Sequence, residues 1–381
     1  MPRTPLILSV AALMVACGPL VSPNAPSPST LAERASLLPS PTVTAGPTST
    51  PTPTANVSPA PNAARLILSD ATLVADGRPH FLFQAAGEDR LRAVAWTGTT
   101  NGVLAGTAPP KATLRQSPDG ARYVLNGKIY GFAGDLVGVL PWLDGSVPTW
   151  SRDGQFLCRA LPVTPQTGSA MQLQTVVPGQ QPRVVATGYG IYSDNAGYPV
   201  LACDAQTDRV IVASLGQGLF AGHLWVFRLS TGALLRSEDI GANVAGSWIA
   251  ASADGTLLAH SVHATNADPP TTTIRTAESP TALQTLPNFE GHGFSGDGSL
   301  LLGVTGGSNS IAIIDWKAAR RTWGSTGLAY GGFFPEPNGN HFAVGLGFVG
   351  GAEDKGDVYL VGPDGTSIEF PSGGYHAVFR Y

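Results

Sequence analysis

Ser295-Gly296-Asp297-Gly298, followed at once by Ser299-Leu300-Leu301-Leu302-Gly303-Val304-Thr305, is the stretch that decides the fold. An Asp-Gly pair between two β-rich runs marks a hairpin, because glycine accepts a positive φ and aspartate bonds nearby backbone. The string recurs along the chain. Ser117-Pro118-Asp119-Gly120 precedes ARYVL, Ser151-Arg152-Asp153-Gly154 precedes QFLCRAL, and Ser252-Ala253-Asp254-Gly255 precedes TLLAHSV. Weaker copies are Val74-Ala75-Asp76-Gly77 before RPHFLF, Cys203-Asp204 to Asp208 before RVIVASL, and Pro337-Asn338-Gly339 before NHFAVGL.

Most units carry a second apolar strand that ends near another turn, as in Leu224-Trp225-Val226-Phe227 and Ile311-Ala312-Ile313-Ile314. Two hairpins per unit make four strands. The landmarks at 74, 117, 151, 203, 252, 295 and 335 lie 34 to 52 residues apart, which brackets the roughly 40 to 45 residues of a propeller blade. The fold expected of residues 64–381 is therefore all-β, a β-propeller of four-stranded blades. Seven landmarks point to seven blades, with six or eight left open by the weak copies at 74 and 203. The terminal run Tyr375-His376-Ala377-Val378-Phe379-Arg380-Tyr381 has strand composition and is expected to close the ring by completing the N-terminal blade.

The Ser-x-Asp-Gly repeat resembles the WD40-like repeat of the propeller domain of TolB and related periplasmic and envelope proteins. The resemblance implies a fold; a repeat-level match carries no activity with it. The Gly-His and Trp-Asp signatures of the eukaryotic repeat are absent, since Gly291-His292 occurs once and Asp315-Trp316 is in the reverse order.

Composition narrows the function. Charged residues make up 13% of the 381 positions, against roughly 25% in an average domain. The net charge of -4 leaves no basic footprint for nucleic acid. With 47 glycines and 32 prolines, long helices are disfavoured as well.

The N-terminus reads as an address. Arg3 precedes an apolar run, Pro5 to Ala16, broken only by Ser9 and too short to span a bilayer as a permanent helix. Its end, Met14-Val15-Ala16-Cys17, resembles the lipobox of bacterial lipoproteins. That resemblance implies cleavage before Cys17, diacylglycerol on its thiol, and a place in the bacterial cell envelope facing periplasm or exterior. Between 19 and 62, Glu33 and Arg34 are the only charges in a Pro/Ser/Thr-rich stretch, which cannot bury a core and stays extended. The expected organisation is a signal peptide over 1–16, a lipidated tether over 17–63 and a propeller over 64–381.

No residue set announces a reaction. Asp119, Asp153, Asp254 and Asp297 occur once per unit, which assigns them to turns, whereas a catalytic carboxylate pair is used once. His260 and His263 are the closest histidine pair, and a separation of three along a strand puts them on opposite faces. Trp150, Trp225, Trp248, Trp316 and Trp323 read as packing between blades. With Cys17 assigned to lipid, Cys158 and Cys203 are left as either a disulfide or two buried thiols.

The reading that follows is a membrane-anchored, monomeric, non-catalytic propeller without cofactor or metal, which binds a protein or envelope polymer. The alternative is a propeller-based hydrolase, lyase or quinoprotein-like enzyme, with dispersed residues such as Asp194, His292 and Arg320 converging on the central channel.

Overall fold

The structure is a computed structural model. It describes residues 67–68, 80–85, 91–98, 100–105, 114–125, 127–131, 135–140, 148–163, 170–189, 198–215, 221–240, 246–264, 268–306, 310–325, 329–347, 356–370 and 375–376. Cys17, Asp76, Gly77 and Asp194 lie outside them.

Strands separated by these turns pair with their sequence neighbours, giving antiparallel meanders of four. Sheet B contains Leu114–Gln116, Arg122–Leu125, Lys128–Gly131 and Leu136–Val139; sheet C contains Thr149–Trp150, Leu157–Pro162, Met171–Val176 and Arg183–Tyr189. Sheet D follows with Val200–Asp204, Arg209–Leu215, Ala221–Arg228 and Leu234–Asp239, and sheet E with Gly246–Ala251, Leu257–His263, Thr271–Thr276 and Ala282–Pro287. Sheet F has Phe289–Phe294, Leu300–Thr305, Ser310–Asp315 and Arg320–Ser325; sheet G has Ala329–Pro335, Phe342–Gly347, Gly356–Val361 and Ser367–Phe370. These six four-stranded sheets are the blades of an all-β propeller.

The blades number six among the described residues, not the seven that seven landmarks lead one to expect, and the difference arises at the N-terminal landmark. Sheet A has five strands drawn from distant parts of the chain, in the order Ile67–Leu68, Thr100–Ala105, Leu91–Ala95, His80–Ala85, Tyr375–His376. No Asp-Gly turn joins its last two strands, because they come from opposite ends of the propeller segment.

Burial follows from stacking the sheets face to face. Each core is shared by two sheets: Leu173 and Met171 of C pack with Val212 and Phe227 of D, and Leu258 of E packs with Ile211 and Val226 of D. Leu302 and Ile313 of F meet Phe342 and Val344 of G, while Val358 and Phe370 of G meet Phe81 and Trp96 of A. The fourth strand of each meander is the exposed one, as the Leu234–Asp239 pattern shows. Side chains buried on both faces need apolar residues at consecutive positions, which explains runs such as Leu300-Leu301-Leu302.

The first strand of each blade runs toward the turn that joins it to the second, an Asp-Gly turn in sheets B, C, E and F, so those turns gather at one end of the ring. The connections between second and third strands, and those from one blade to the next, gather at the other, here called the loop end. At the turn end Arg152 Nε of sheet C's turn donates to Asn338 Oδ1 of sheet G's turn at 2.8 Å, and its Nη1 lies 4.0 Å from Asp204 Oδ2. Sheets C and G are not neighbours, so this side chain reaches across the ring.

Candidate functional site

At the turn end the four Ser-x-Asp-Gly strings share one geometry. Asp119, Asp153, Asp254 and Asp297 accept the hydroxyls of Ser117, Ser151, Ser252 and Ser295 at 2.5 to 2.7 Å. The same carboxylate oxygens accept the amides of Ala121, Gln155, Thr256 and Ser299 at 2.9 to 3.1 Å. Each serine hydroxyl in turn accepts the amide that opens the next strand, as from Leu257 and Leu300 at 2.9 Å. The serines are 0 to 2% exposed, so every lost partner would leave a buried polar group unsatisfied. Gly120, Gly154, Gly255 and Gly298 have φ between 67° and 73°, the left-handed region that glycine occupies freely. Burial opposes ionisation of Asp254, yet its hydrogen bonds from Ser252 and Thr256 hold the carboxyl below its usual value.

The degenerate copy in sheet G solves the same problem differently. Asn338, not Gly339, carries the positive φ of 60°, as expected at the third position of a turn with proline at its second. Glu336 replaces the serine, and its carboxylate accepts the His341 amide at 3.3 Å and faces His341 Nδ1 at 2.6 Å. These aspartates and their equivalents are thus occupied by their own turns.

Cys158 and Cys203 are joined by a disulfide that ties the second strand of sheet C to the first strand of sheet D. Trp150, Trp225 and Trp316 are buried between sheets; Trp150 Nε1 donates to Arg115 O at 3.1 Å and Trp316 Nε1 to Gly298 O at 2.8 Å. Trp248 differs from them.

Trp248 lies on the first strand of sheet E, toward the loop end, and is 40% exposed. Its ring stacks on His292 of sheet F, with centroids 4.8 Å apart and 23° between planes. His292 Nε2 faces Glu290 Oε1 at 2.9 Å, and the other carboxylate oxygen faces His263 Nε2 at 2.6 Å. One glutamate therefore bridges two imidazoles from adjacent blades. The hydrogen bond from His292, with that from His263 and against the effect of burial, pushes the Glu290 carboxyl down to about 2.

The backbone beneath this cluster is clamped. Gly291 N donates to both Ser261 Oγ at 2.9 Å and Thr272 Oγ1 at 3.0 Å. Thr272 spends its own proton on Phe289 O at 2.5 Å, so Ser261 is the donor in the 2.7 Å contact between the two hydroxyls. A Cβ at position 291 would lie 2.8 Å from Leu301 Cδ2 and 3.3 Å from Thr272 Cγ2. Glycine there lets the two sheets approach closely enough for the clamp to form.

His260 and His263 diverge as the two-residue period requires. His263 meets Glu290 of sheet F, whereas His260 turns toward sheet D, where burial and the Arg275 charge lower its pKa. His292 and Arg320 are not brought together, since His292 stands within the strand Phe289–Phe294 and bonds Glu290 toward the loop end, while Arg320 opens its strand at the turn end. Among the described residues no group of three His, Cys, Asp or Glu is arranged to hold a metal ion.

The linkage of Glu290 to stability has a definite sign. A carboxyl whose pKa falls on folding, here from 4.5 to about 2, adds stability that is complete above the unfolded value and lost as pH falls through the folded one. The full drop corresponds to ~3 kcal/mol, and partial exposure reduces it to roughly half of that. Glu290→Gln is therefore expected to flatten the stability curve between pH 4.5 and 2, measured by urea melts at closely spaced pH. An unchanged slope would remove the His263–Glu290–His292 bridge from the account.

No family model matches the chain, and no curated protein matches it. Among solved structures, a eukaryotic initiation factor is similar over 79% of this chain and 90% of its own, with a TM-score of 0.47 and 12% identity. The β-propeller domain of Cps50 (Swd1) from Myceliophteria thermophila is similar over 70% and 93%, with a TM-score of 0.43 and 13% identity. A chain of a mitotic checkpoint complex is similar over 86% and 87%, at 0.44 and 14%.

Proposed function

We propose that this chain is a lipid-anchored lipoprotein of the bacterial cell envelope whose propeller is a monomeric, non-catalytic binding module for a protein or envelope polymer. The observation that carries the module is the contrast between the two ends of the ring. At the turn end the repeated carboxylates are spent on their own backbone and Arg152 reaches across the ring. At the loop end an aromatic side chain is left exposed and held rigidly from below. Exposed, well-supported tryptophans are the residue type on which interface energy concentrates.

The anchor rests on Met14-Val15-Ala16-Cys17 and the Pro/Ser/Thr-rich stretch after it. Two acyl chains or their equivalent are needed for stable membrane attachment, and an extended tether would hold the propeller clear of the surface. The ring itself is proposed to be closed by the C-terminal strand joining sheet A, which is supported by the antiparallel pairing of Gln84 with His376 and Ala85 with Tyr375.

Fractionation and crosslinking test the two halves together. Cys17→Ser is expected to move the protein out of the membrane fraction or to leave it uncleaved. Crosslinking of the wild-type protein in its own envelope, followed by mass spectrometry, is expected to trap a discrete partner. Membrane retention of the serine variant with normal cleavage would refute the anchor; a hydrolytic or redox activity of the purified domain, abolished by one channel substitution, would refute the module.

A further inference from the structure

The basic residues along sheets D, E and F are sorted by end, whereas carboxylates, among them Asp204, Asp254 and Asp297 at the turns, stand at both. Arg209, Arg228, Arg275, Arg320 and Arg321 all stand in the turn halves of their strands. In the loop halves the described charged residues are acidic: Glu238 and Asp239 close the last strand of D, Asp268 lies beyond the second strand of E, and Glu290 opens F. Glu238 is taken by two arginines that reach it from nearer the turns: Arg275 Nη1 donates to both its oxygens at 2.8 and 2.9 Å, and Arg236 Nη2 donates to one of them. Trp248 is linked to Glu290 through His292, on which its ring stacks and whose Nε2 faces the carboxylate.

An indole face attracts cations through its quadrupole. At Trp248 the exposed ring is stacked on His292, whose Nε2 faces the Glu290 carboxylate, so a negative charge lies one imidazole away. Its stack on His292 fixes the ring plane, and Glu290, pinned on both oxygens by imidazoles, supplies negative charge without being free to swing away. No described lysine or arginine at this end of D to F competes for either group.

The geometry points to a basic polypeptide segment as the occupant: a lysine or arginine head over the exposed indole of Trp248, drawn to this end by Glu290 and the other loop-end carboxylates. This inference deepens the binding-module reading and rests on it. Complementary charge of this kind acts chiefly on encounter and specificity, so the interaction is expected to weaken with salt.

The test uses an acetylated and amidated tetra-lysine peptide as probe, titrated into the purified full-length protein at low and at physiological ionic strength. Trp248→Ala is expected to weaken binding about tenfold, the upper range of one cation–π contact expressed as affinity. Glu290→Gln, which keeps the shape and removes the charge, is expected to weaken it severalfold. Asp364→Asn, at the opposite end in sheet G, should leave it unchanged. Because Trp248 is exposed, its alanine variant is expected to melt with the wild type, which separates loss of binding from loss of fold.

Two results would overturn the proposal. One is equal tetra-lysine affinity for wild type and Trp248→Ala. The other is Trp248-dependent binding of neutral chitotetraose or of a tetra-glutamate peptide with none of tetra-lysine. If the partner trapped in the native envelope is lost in Trp248→Ala while tetra-lysine does not bind, the cationic ligand class fails and the binding module stands.

Discussion

Replacing Cys158 and Cys203 together by serine is expected to lower the stability of the oxidised propeller by about 4 kcal/mol, the chain-entropy value for a cross-link of this length. The bonded residues are 45 positions apart, so the bridge closes a loop of one whole blade. Both cysteines are 0 to 1% exposed, and the serine hydroxyls would enter an apolar core containing Leu173, Val212 and Phe227 with few partners, adding to the loss. For a domain of this size the melting temperature is expected to fall by roughly 6 °C. The paired alanine variant separates the two contributions, because it removes the cross-link without burying hydroxyls. Scanning calorimetry of all three proteins, with and without reductant, checks the assignment. If reductant leaves the wild type unchanged and Cys158→Ala/Cys203→Ala melts with it, the two sulfurs are thiols in the folded protein.

The repeat turn was legible because its three defining residues each answer a local demand. Glycine answers a positive φ, aspartate answers an amide two residues on, and serine answers both the aspartate and the next strand's first amide. None of these depends on a partner far away in sequence, so one string repeated four times reveals the hairpin. The opposite faces of His260 and His263 were legible for the same reason, since strand alternation is local. The His263–Glu290–His292 bridge was not. Its members are separated by 27 residues and meet only because sheet E stacks on sheet F, a tertiary fact that spacing within a strand does not encode. Trp248 was hidden similarly. The tryptophans look alike in sequence, and only the stacking of sheets, which buries Trp150, Trp225 and Trp316 and leaves Trp248 40% exposed, separates them. The count of blades failed to follow from the landmarks because a landmark marks a turn between first and second strands. Sheet A joins its strand His80–Ala85 to Tyr375–His376, two segments with no turn between them to be read.

Truncation after Gly374 tests whether that pairing closes the ring. The seven residues removed, Tyr375 to Tyr381, include the partners of Gln84 and Ala85, and their loss leaves the strand His80–Ala85 as an open edge. The consequences should spread beyond the edge. Sheets A and G share a core in which Phe81 packs on Trp96, with centroids 5.0 Å apart, and Trp96 stacks on Phe334 at 6.0 Å. Phe370 of G meets Phe81 edge-on at 6.3 Å. A strand missing from sheet A loosens its seating against this core, and burying a large aromatic side chain is worth roughly 1.5 to 3 kcal/mol. In an array where each unit is stabilised mainly by its neighbours, uncovering a terminal unit lowers the stability of the whole. The truncated protein is therefore expected to aggregate or to melt more than about 10 °C below the full chain, a shift that requires several kcal/mol at this size. Deleting seven residues from the Pro/Ser/Thr-rich stretch, positions 40–46, serves as the control and should leave the melt unchanged. Size-exclusion chromatography and calorimetry of the two deletions decide the matter. A truncated protein that stays monomeric and melts within about 2 °C of the control, a shift worth no more than about 1 kcal/mol, would show that the C-terminal strand decorates sheet A without holding the ring.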